Sequence, residues 1–245
     1  MHNRQKRVGQ STRDMADKRY KSRVWFVLSM AGAALLILVV VSNSKALGIG
    51  GFALLGLIIL ARFIMDFTDS RTKKMIKAER RAIRGAKAEE TIGSLLENLG
   101  EDYWVMHDIP SPYGNVDHVV IGKHGGIVLL ETKAHGGRVS VDNGRLLVNG
   151  HEPEKDFIAQ ALKNTYWLRD EIRNAIHVES WITPVVVFTN AFVEATAPVK
   201  GVKVINKKYL LGLLQKPNAR AQNLPIWENR ERIQEALYAS DRAIA

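Results

Sequence analysis

The chain has 245 residues, 46% of them apolar and 24% charged, with a mean hydropathy of −0.11, a balance that allows a packed core and excludes a wholly disordered or low-complexity polypeptide. The absence of cysteine excludes disulfide frameworks, thiolate zinc sites, iron–sulfur clusters and cysteine nucleophiles. The formal charge of +10 is unevenly placed: residues 1–23 hold eight Lys/Arg against two Asp, residues 62–87 hold nine against three acids, and residues 88–245 hold 17 Lys/Arg against 20 Asp/Glu. The basic excess flanks the apolar N-terminal region and points to a lipid surface before it points to nucleic acid.

From the N-terminus, a basic tail (residues 1–23) leads into Val24 to Val41, 18 residues without a charge. At ~1.5 Å per helical residue this run reaches about 27 Å, close to the thickness of a hydrocarbon core. After Ser42 to Ala46 a second uncharged run covers Leu47 to Ala61, extending to Met65 if Arg62 snorkels to the headgroups. Residues 24–65 thus read as a transmembrane hairpin of about 24–41 and 47–65, followed by a basic juxtamembrane linker or helix at 66–87. Lys45 is the single cation in the tight loop, so the positive-inside rule expects both termini in the cytoplasm and, for a bacterial source, a multi-pass protein of the cell inner membrane. Ser42-Asn43-Ser44 also fits a secretory cleavage pattern, but the run before it is long and a second one follows at once.

A helix is expected from about Met75 to Leu99, where Gly100 stops it; Ile92, Leu95, Leu96 and Leu99 recur at helical spacing. Glu89 falls on this apolar stripe, three residues before Ile92, and a carboxylate on a buried face needs a partner or a metal. β-type runs follow at Tyr103–Ile109, Val116–Gly122 and Ile127–Lys133, then a hairpin of Arg138–Val141 with Arg145–Val148 around Asp142-Asn143-Gly144. A helix from Glu154 to about His177, strands at Thr183–Thr189 and Val202–Ile205, and helices at Lys207–Leu214 and Pro225–Ser240 complete an α/β sandwich of about 160 residues, enough for one core.

The chemistry concentrates on two strands, NVDHVVIG and GIVLLETK. If His124-Gly125-Gly126 forms the turn, Lys123 pairs with Ile127, Asp117 lies opposite Lys133, and Glu131 is diagonal to it. Alternation then puts Asp117, Val119, Ile121, Ile127, Leu129, Glu131 and Lys133 on one face and Val120, Val128 and Leu130 on the other. Two carboxylates with a peptide carbonyl between them suit a hard-oxygen cation such as Mg²⁺, and the adjacent ammonium suits a water attacking phosphorus. Without more, the same residues read as an ion-pair cluster at a sheet edge, and Glu89 as a first-turn acid favoured by the helix dipole. His118 alternates away from Asp117 and reads as a strand histidine. No His-x₃₋₅-His pair supports zinc, and no Walker glycine loop supports NTP hydrolysis.

The order Glu89, Asp117, Glu131-Thr132-Lys133 resembles the PD-(D/E)xK nuclease core. More narrowly, AEETIGSLL, NVDHVVIGKHGGIVLLETKAHGGRV and the later Gln160 resemble the NERD (nuclease-related) domain over roughly residues 80–190, with a C-terminal strand and helices (191–245) completing the domain. The resemblance implies a restriction-endonuclease-like mixed sheet flanked by helices, here preceded by a two-helix transmembrane hairpin. It implies Mg²⁺ or Mn²⁺ held by Asp117, Glu131 and the Thr132 backbone carbonyl with Glu89 in support, Lys133 at the attacking water and Gln160 orienting groups nearby. The expected function is a membrane-anchored, cytoplasm-facing, metal-dependent nuclease cleaving phosphodiester bonds of DNA or RNA, with lipid engaged through the hairpin and its basic flanks. The alternative is a catalytically silent binding or scaffold module of the same fold at the membrane, which the acidic balance of residues 88–245 favours.

Overall fold

A computed structural model describes residues 8–46, 48, 50–194, 197–216 and 224–239. Residues 1–7 of the basic tail, Leu47 at the start of the expected second span, and Ser240 at the end of the expected last helix lie outside the described residues. The chain divides into two compact units, Thr12–Arg84 and Met1–Ser11 with Gly85–Ala245.

The first unit holds most of the two longest helices, α1 (Gln10–Ser42) and α2 (Gly51–Leu96); from Gly85 on, α2 belongs to the second unit. Both are long and apolar enough to cross a membrane, and large apolar side chains such as Leu35, Leu36, Ile59 and Phe63 are exposed on them. Arg19 donates to the Ala78 carbonyl (2.8 Å), Arg23 pairs with Glu79 (2.9 Å) and the Phe26 ring meets Phe67 edge-on (6.3 Å), a pairing order that makes the helices antiparallel. The helices exceed the sequence expectation. The first begins at Gln10, within the basic tail, and the second runs unbroken through 66–87, the helix of the two alternatives, linker or helix, expected there, and is continuous with the helix expected from about Met75. Neither residues 10–23 nor residues 57–84 contain glycine or proline, and Lys, Arg, Glu and Ala favour helix, so nothing interrupts the backbone ladder.

The second unit is a six-stranded mixed sheet between helices. Strands β1 (Tyr103–Ile109), β2 (Val116–Gly122) and β3 (Gly126–Asp142) form an antiparallel meander; β5 (Ile182–Val193) and β6 (Lys203–Asn206) add in parallel to give the order β1-β2-β3-β5-β6. β4 (Arg145–Val148) pairs with the far half of β3 through Asn143 (φ 47) and Gly144 (φ 73), the two positive φ values that a tight hairpin turn requires. Helix α3 (Phe157–Ile176), started by the Asp156 carboxylate accepting from the Ala159 N–H, and α6 (Arg230–Ala239) cover one face. There Leu168, Ile172, Ile233 and Leu237 pack on Val119, Ile121, Ile127 and Leu129. On the other face Ile92 and Leu96 of α2, with Leu210 and Leu214 of α4 (Leu210–Leu214), pack on Val120, Val128, Leu130, Val185 and Val187. Apolar residues on both faces are what a parallel β3–β5 pair in a sheet's interior needs.

The β2–β3 register differs from the expected one by two residues. Gly122 pairs with Gly126 and Ile121 with Ile127, so the loop is Lys123-His124-Gly125, not His124-Gly125-Gly126. The Lys123 N–H is drawn to the Asp102 carbonyl (2.8 Å), Gly126 adopts φ 88, and a side chain at Gly122 would sit 3.2 Å from Gly125, so glycine there lets the loop fold back without a shift of its neighbour. Because the slip is two and side chains alternate, every residue keeps its expected face. β3 is also longer than expected: it passes through Ala134 and His135 with an irregularity between Lys133 and Gly136, where two strands were anticipated. The segment 207–214 opens with a 3₁₀ turn (Lys207–Tyr209), and the closing helix is divided at Asn229 into α5 (Leu224–Glu228) and α6. Leu129 is fully buried between β3 and α3. Leu129→Ala should therefore cost about 2–5 kcal/mol, read as a lower denaturant midpoint of the full chain in detergent, whereas truncating the exposed Tyr209 should leave the midpoint almost unchanged.

Candidate active site

The ladder between β2 and β3 ends at His118 and Leu130, and the next position along brings Asp117 level with Glu131. Beyond this point the strands part. Among the described residues β3 has no strand partner on that edge until Val139 meets β4, so Glu131 to Arg138 border a gap in the sheet. The Asp117 carboxylate takes the place of the missing strand by accepting the Thr132 backbone N–H (2.5 Å). In an extended strand the N–H and C=O of one residue point to the same edge, so the Thr132 carbonyl also faces the gap.

Glu131 and Lys133 point from β3 to the α3 side. The Lys133 ammonium is 2.6 Å from Glu131 Oε1, 3.3 Å from Gln160 Oε1 and 4.6 Å from the centre of the Phe157 ring. Gln160 and Phe157 both come from the first turn of α3. The Glu131 side chain is 3% exposed, and its second oxygen, Oε2, is buried without a hydrogen-bond partner. Burial, first, and then the charges of Glu131 and Glu89 raise the Asp117 pKa well above the usual carboxylate range, while the Lys133 ammonium and the Thr132 N–H act in the opposite sense. Glu89, half-buried on α2, is therefore close enough to repel Asp117, and its Oε2 lies beside Gly9, whose φ of 67 turns the chain past it.

Asp117, Glu131, Thr132, Lys133 and Gln160 meet at one place, with Glu89 in electrostatic range. Among the described residues no three His, Asp or Glu side chains converge on a common point, so the donors at hand are two carboxylates and a peptide carbonyl, not a three-carboxylate cage. That set fits a hard divalent cation: mutually repelling carboxyls and one carboxylate oxygen without a donor are what a cation would relieve. His118 faces the opposite layer, its Nδ1 2.8 Å from His107 Nδ1, and burial lowers the pKa of both rings, more so for His118. Sequence reasoning missed Phe157, whose ring carries the ammonium, and Asn164, a polar residue on the buried stripe of α3. Asn164 gives the same signal that singled out Glu89.

A six-stranded mixed sheet flanked by helices defines an α/β fold. Residues 84–189 match the family model described as NERD, the nuclease-related domain, and the chain carries that domain over this stretch. No curated protein and no solved structure gave a significant match.

The raised Asp117 pKa sets a pH dependence. With the folded value above the unfolded one, this group's contribution to stability is greatest in acid and is lost as pH rises through the folded value. Asp117→Asn keeps an acceptor for the Thr132 N–H and removes the charge. Near neutral pH, without metal, it should raise the melting temperature by about 2–4 °C, the shift that ~1 kcal/mol produces at this size. The gain over the wild type should vanish on acidification, as followed by melting curves across pH.

Proposed function

We propose that this protein is a membrane-anchored nuclease that uses a divalent cation, Mg²⁺ or Mn²⁺, to hydrolyse phosphodiester bonds of DNA or RNA at the cytoplasmic face. The observation that carries the reading is the meeting, where β2 and β3 part, of Asp117, the unpaired Glu131 oxygen and the Lys133 ammonium. Asp117, Glu131 and the Thr132 carbonyl would hold the cation, which supplies charge neutralisation at the scissile phosphate and acidifies water. Lys133, steadied by Gln160 and the Phe157 ring, orients the attacking water and balances the charge that grows on the phosphoryl oxygens. Water adds to phosphorus as the bond to the leaving oxygen breaks; the water's proton passes to solvent and the leaving oxygen is protonated in turn. Glu89 keeps the local field negative around Asp117 and so favours a cation there. The competing reading, a silent scaffold, draws on the 17 Lys/Arg against 20 Asp/Glu in residues 88–245, an acidic balance that gives no excess of cations for phosphate binding by charge.

The purified full chain should cleave DNA or RNA with Mg²⁺ or Mn²⁺ and stop in EDTA, and Asp117→Ala and Lys133→Ala should each lower the rate by roughly 10²–10⁴-fold. Cleavage that survives both substitutions would remove this site from the chemistry; a folded wild type inert towards both nucleic acids would favour the scaffold.

Support for the anchor comes from the two exposed apolar helices and from cations that lie outside the hairpin. Because the chain lacks cysteine, single probes are unambiguous. Asn43→Cys, in the turn after α1, should react with an impermeant maleimide from outside intact cells, and Glu235→Cys on α6 only after lysis; the reverse pattern would invert the proposed orientation.

A further inference from the structure

Gln160, Asn164, Leu168 and Ile172 recur every four residues along α3 and face β3. Gln160 reaches Lys133, while Leu168 and Ile172 share a core with Leu129 and Ile127, so helix numbers rise as strand numbers fall. Four helical residues rise about 6 Å and two strand residues about 6.6 Å, so the two series stay in step. The remaining member of the helix series, Asn164, is thereby level with Glu131, and Glu131 is level with Asp117. Asn164 is 0% exposed and enclosed between helix and sheet.

Its carboxamide is held on one side only. Ser111 Oγ, in the β1–β2 loop that leads to Asp117, lies 2.7 Å from Asn164 Oδ1 and also 2.7 Å from the Gly114 carbonyl, and it accepts the Tyr113 N–H (3.1 Å). A hydroxyl has one proton and cannot donate to both oxygens. With that proton on the Gly114 carbonyl, a half-turn of the Asn164 amide sets Nδ2–H against Ser111 Oγ and gives the hydroxyl, the Gly114 carbonyl and the amide N–H a partner each. This also removes an anomaly, since Nδ2 as placed is buried without a partner. The half-turn sends Oδ1 away from Ser111 and leaves it, like Glu131 Oε2, a buried oxygen without a donor. Two buried acceptors without donors at one level of the α3–β3 interface call for a cation or its water.

The geometry points to Asn164 as a further oxygen donor to the hydrated divalent cation of Asp117 and Glu131, a reading that rests on the metal-dependent function proposed above. Gln160 and Asn164, one turn apart on α3, then divide the labour: the first steadies the ammonium, the second completes the oxygen set. The competing role is a clamp that only ties α3 to the Ser111 loop.

Mn²⁺ binding to the full chain in detergent, measured by calorimetry with metal-free melting curves to confirm folding, separates these roles. Asn164→Leu, which removes the oxygen at similar volume, should weaken Mn²⁺ binding by roughly 10–100-fold. Asn164→Asp retains an oxygen but cannot donate to Ser111, and Ser111→Ala removes the clamp but leaves the oxygen; both should bind close to wild type or better. Wild-type affinity in Asn164→Leu overturns the assignment, and so does a loss in Asn164→Asp and Ser111→Ala as large as in Asn164→Leu, which marks a clamp. If Asn164→Leu does not fold, retained binding in both other variants supports the assignment and loss in either overturns it. In each of these cases Asp117→Ala still abolishes binding; a wild type that takes up no Mn²⁺, or an Asp117→Ala variant that binds as well as wild type, overturns the function proposed above and this assignment with it.

Discussion

The hydrogen bond from the Thr132 N–H to the Asp117 carboxylate is the interaction on which the rest of the site depends. It terminates a strand ladder with a side chain in place of a backbone carbonyl, at the point where β2 and β3 diverge. That substitution holds a carboxylate against β3 at the level of Glu131 and leaves the Thr132 carbonyl turned to the same edge. The result is electrostatically costly. Burial and like charge hold Asp117 well above an ordinary carboxylic acid, and the Lys133–Glu131 pair is largely withdrawn from water, where desolvation opposes much of the attraction. A protein selected for stability alone would do as well with apolar residues at these positions, so the cluster is a cost to the fold that the proposed function would account for.

The sheet tolerates this cluster because its surroundings are conventional. Two apolar layers, one under α3 and α6 and the other under α2 and α4, enclose β2, β3 and β5 on both faces, and the charged residues appear only where the strands splay. α3 links the two functions. Its C-terminal half contributes Leu168 and Ile172 to the core, and its first turns contribute Phe157, Gln160 and Asn164 to the polar end. A single helix thus converts packing order into site geometry.

Much of this was legible in residue order. β1 and β2 have the expected bounds because apolar alternation and flanking turn residues agree on them, and the faces of Val119, Ile121, Leu129, Glu131 and Lys133 follow from period two alone. Register was less accessible, since choosing among Lys123, His124, Gly125 and Gly126 for the turn depends on the Asp102 carbonyl, distant in local pattern though close in space. Helix length was left open because the charged residues after Met65 read as a linker or a helix, and helix propensity carries the backbone through them. Phe157 gave no signal because an aromatic residue at a helix start reads as core. Asn164 did give one, a polar side chain on an apolar stripe.

The divergence of β2 and β3 has a further effect on how the molecule behaves in a crowded solution. Eight residues of β3 lack a neighbouring strand on one side, and an open edge of that kind ordinarily invites strand addition by another chain and, from there, fibril growth. Here the edge begins with Glu131 and Lys133, continues through Gly136 and Gly137, and closes at Arg138, whose N–H is occupied by the Asn149 side chain. Inward charges, glycines with little β tendency and a side-chain plug are the means by which sheets discourage self-templating, so the residues gathered where the strands part also act as gatekeepers against aggregation.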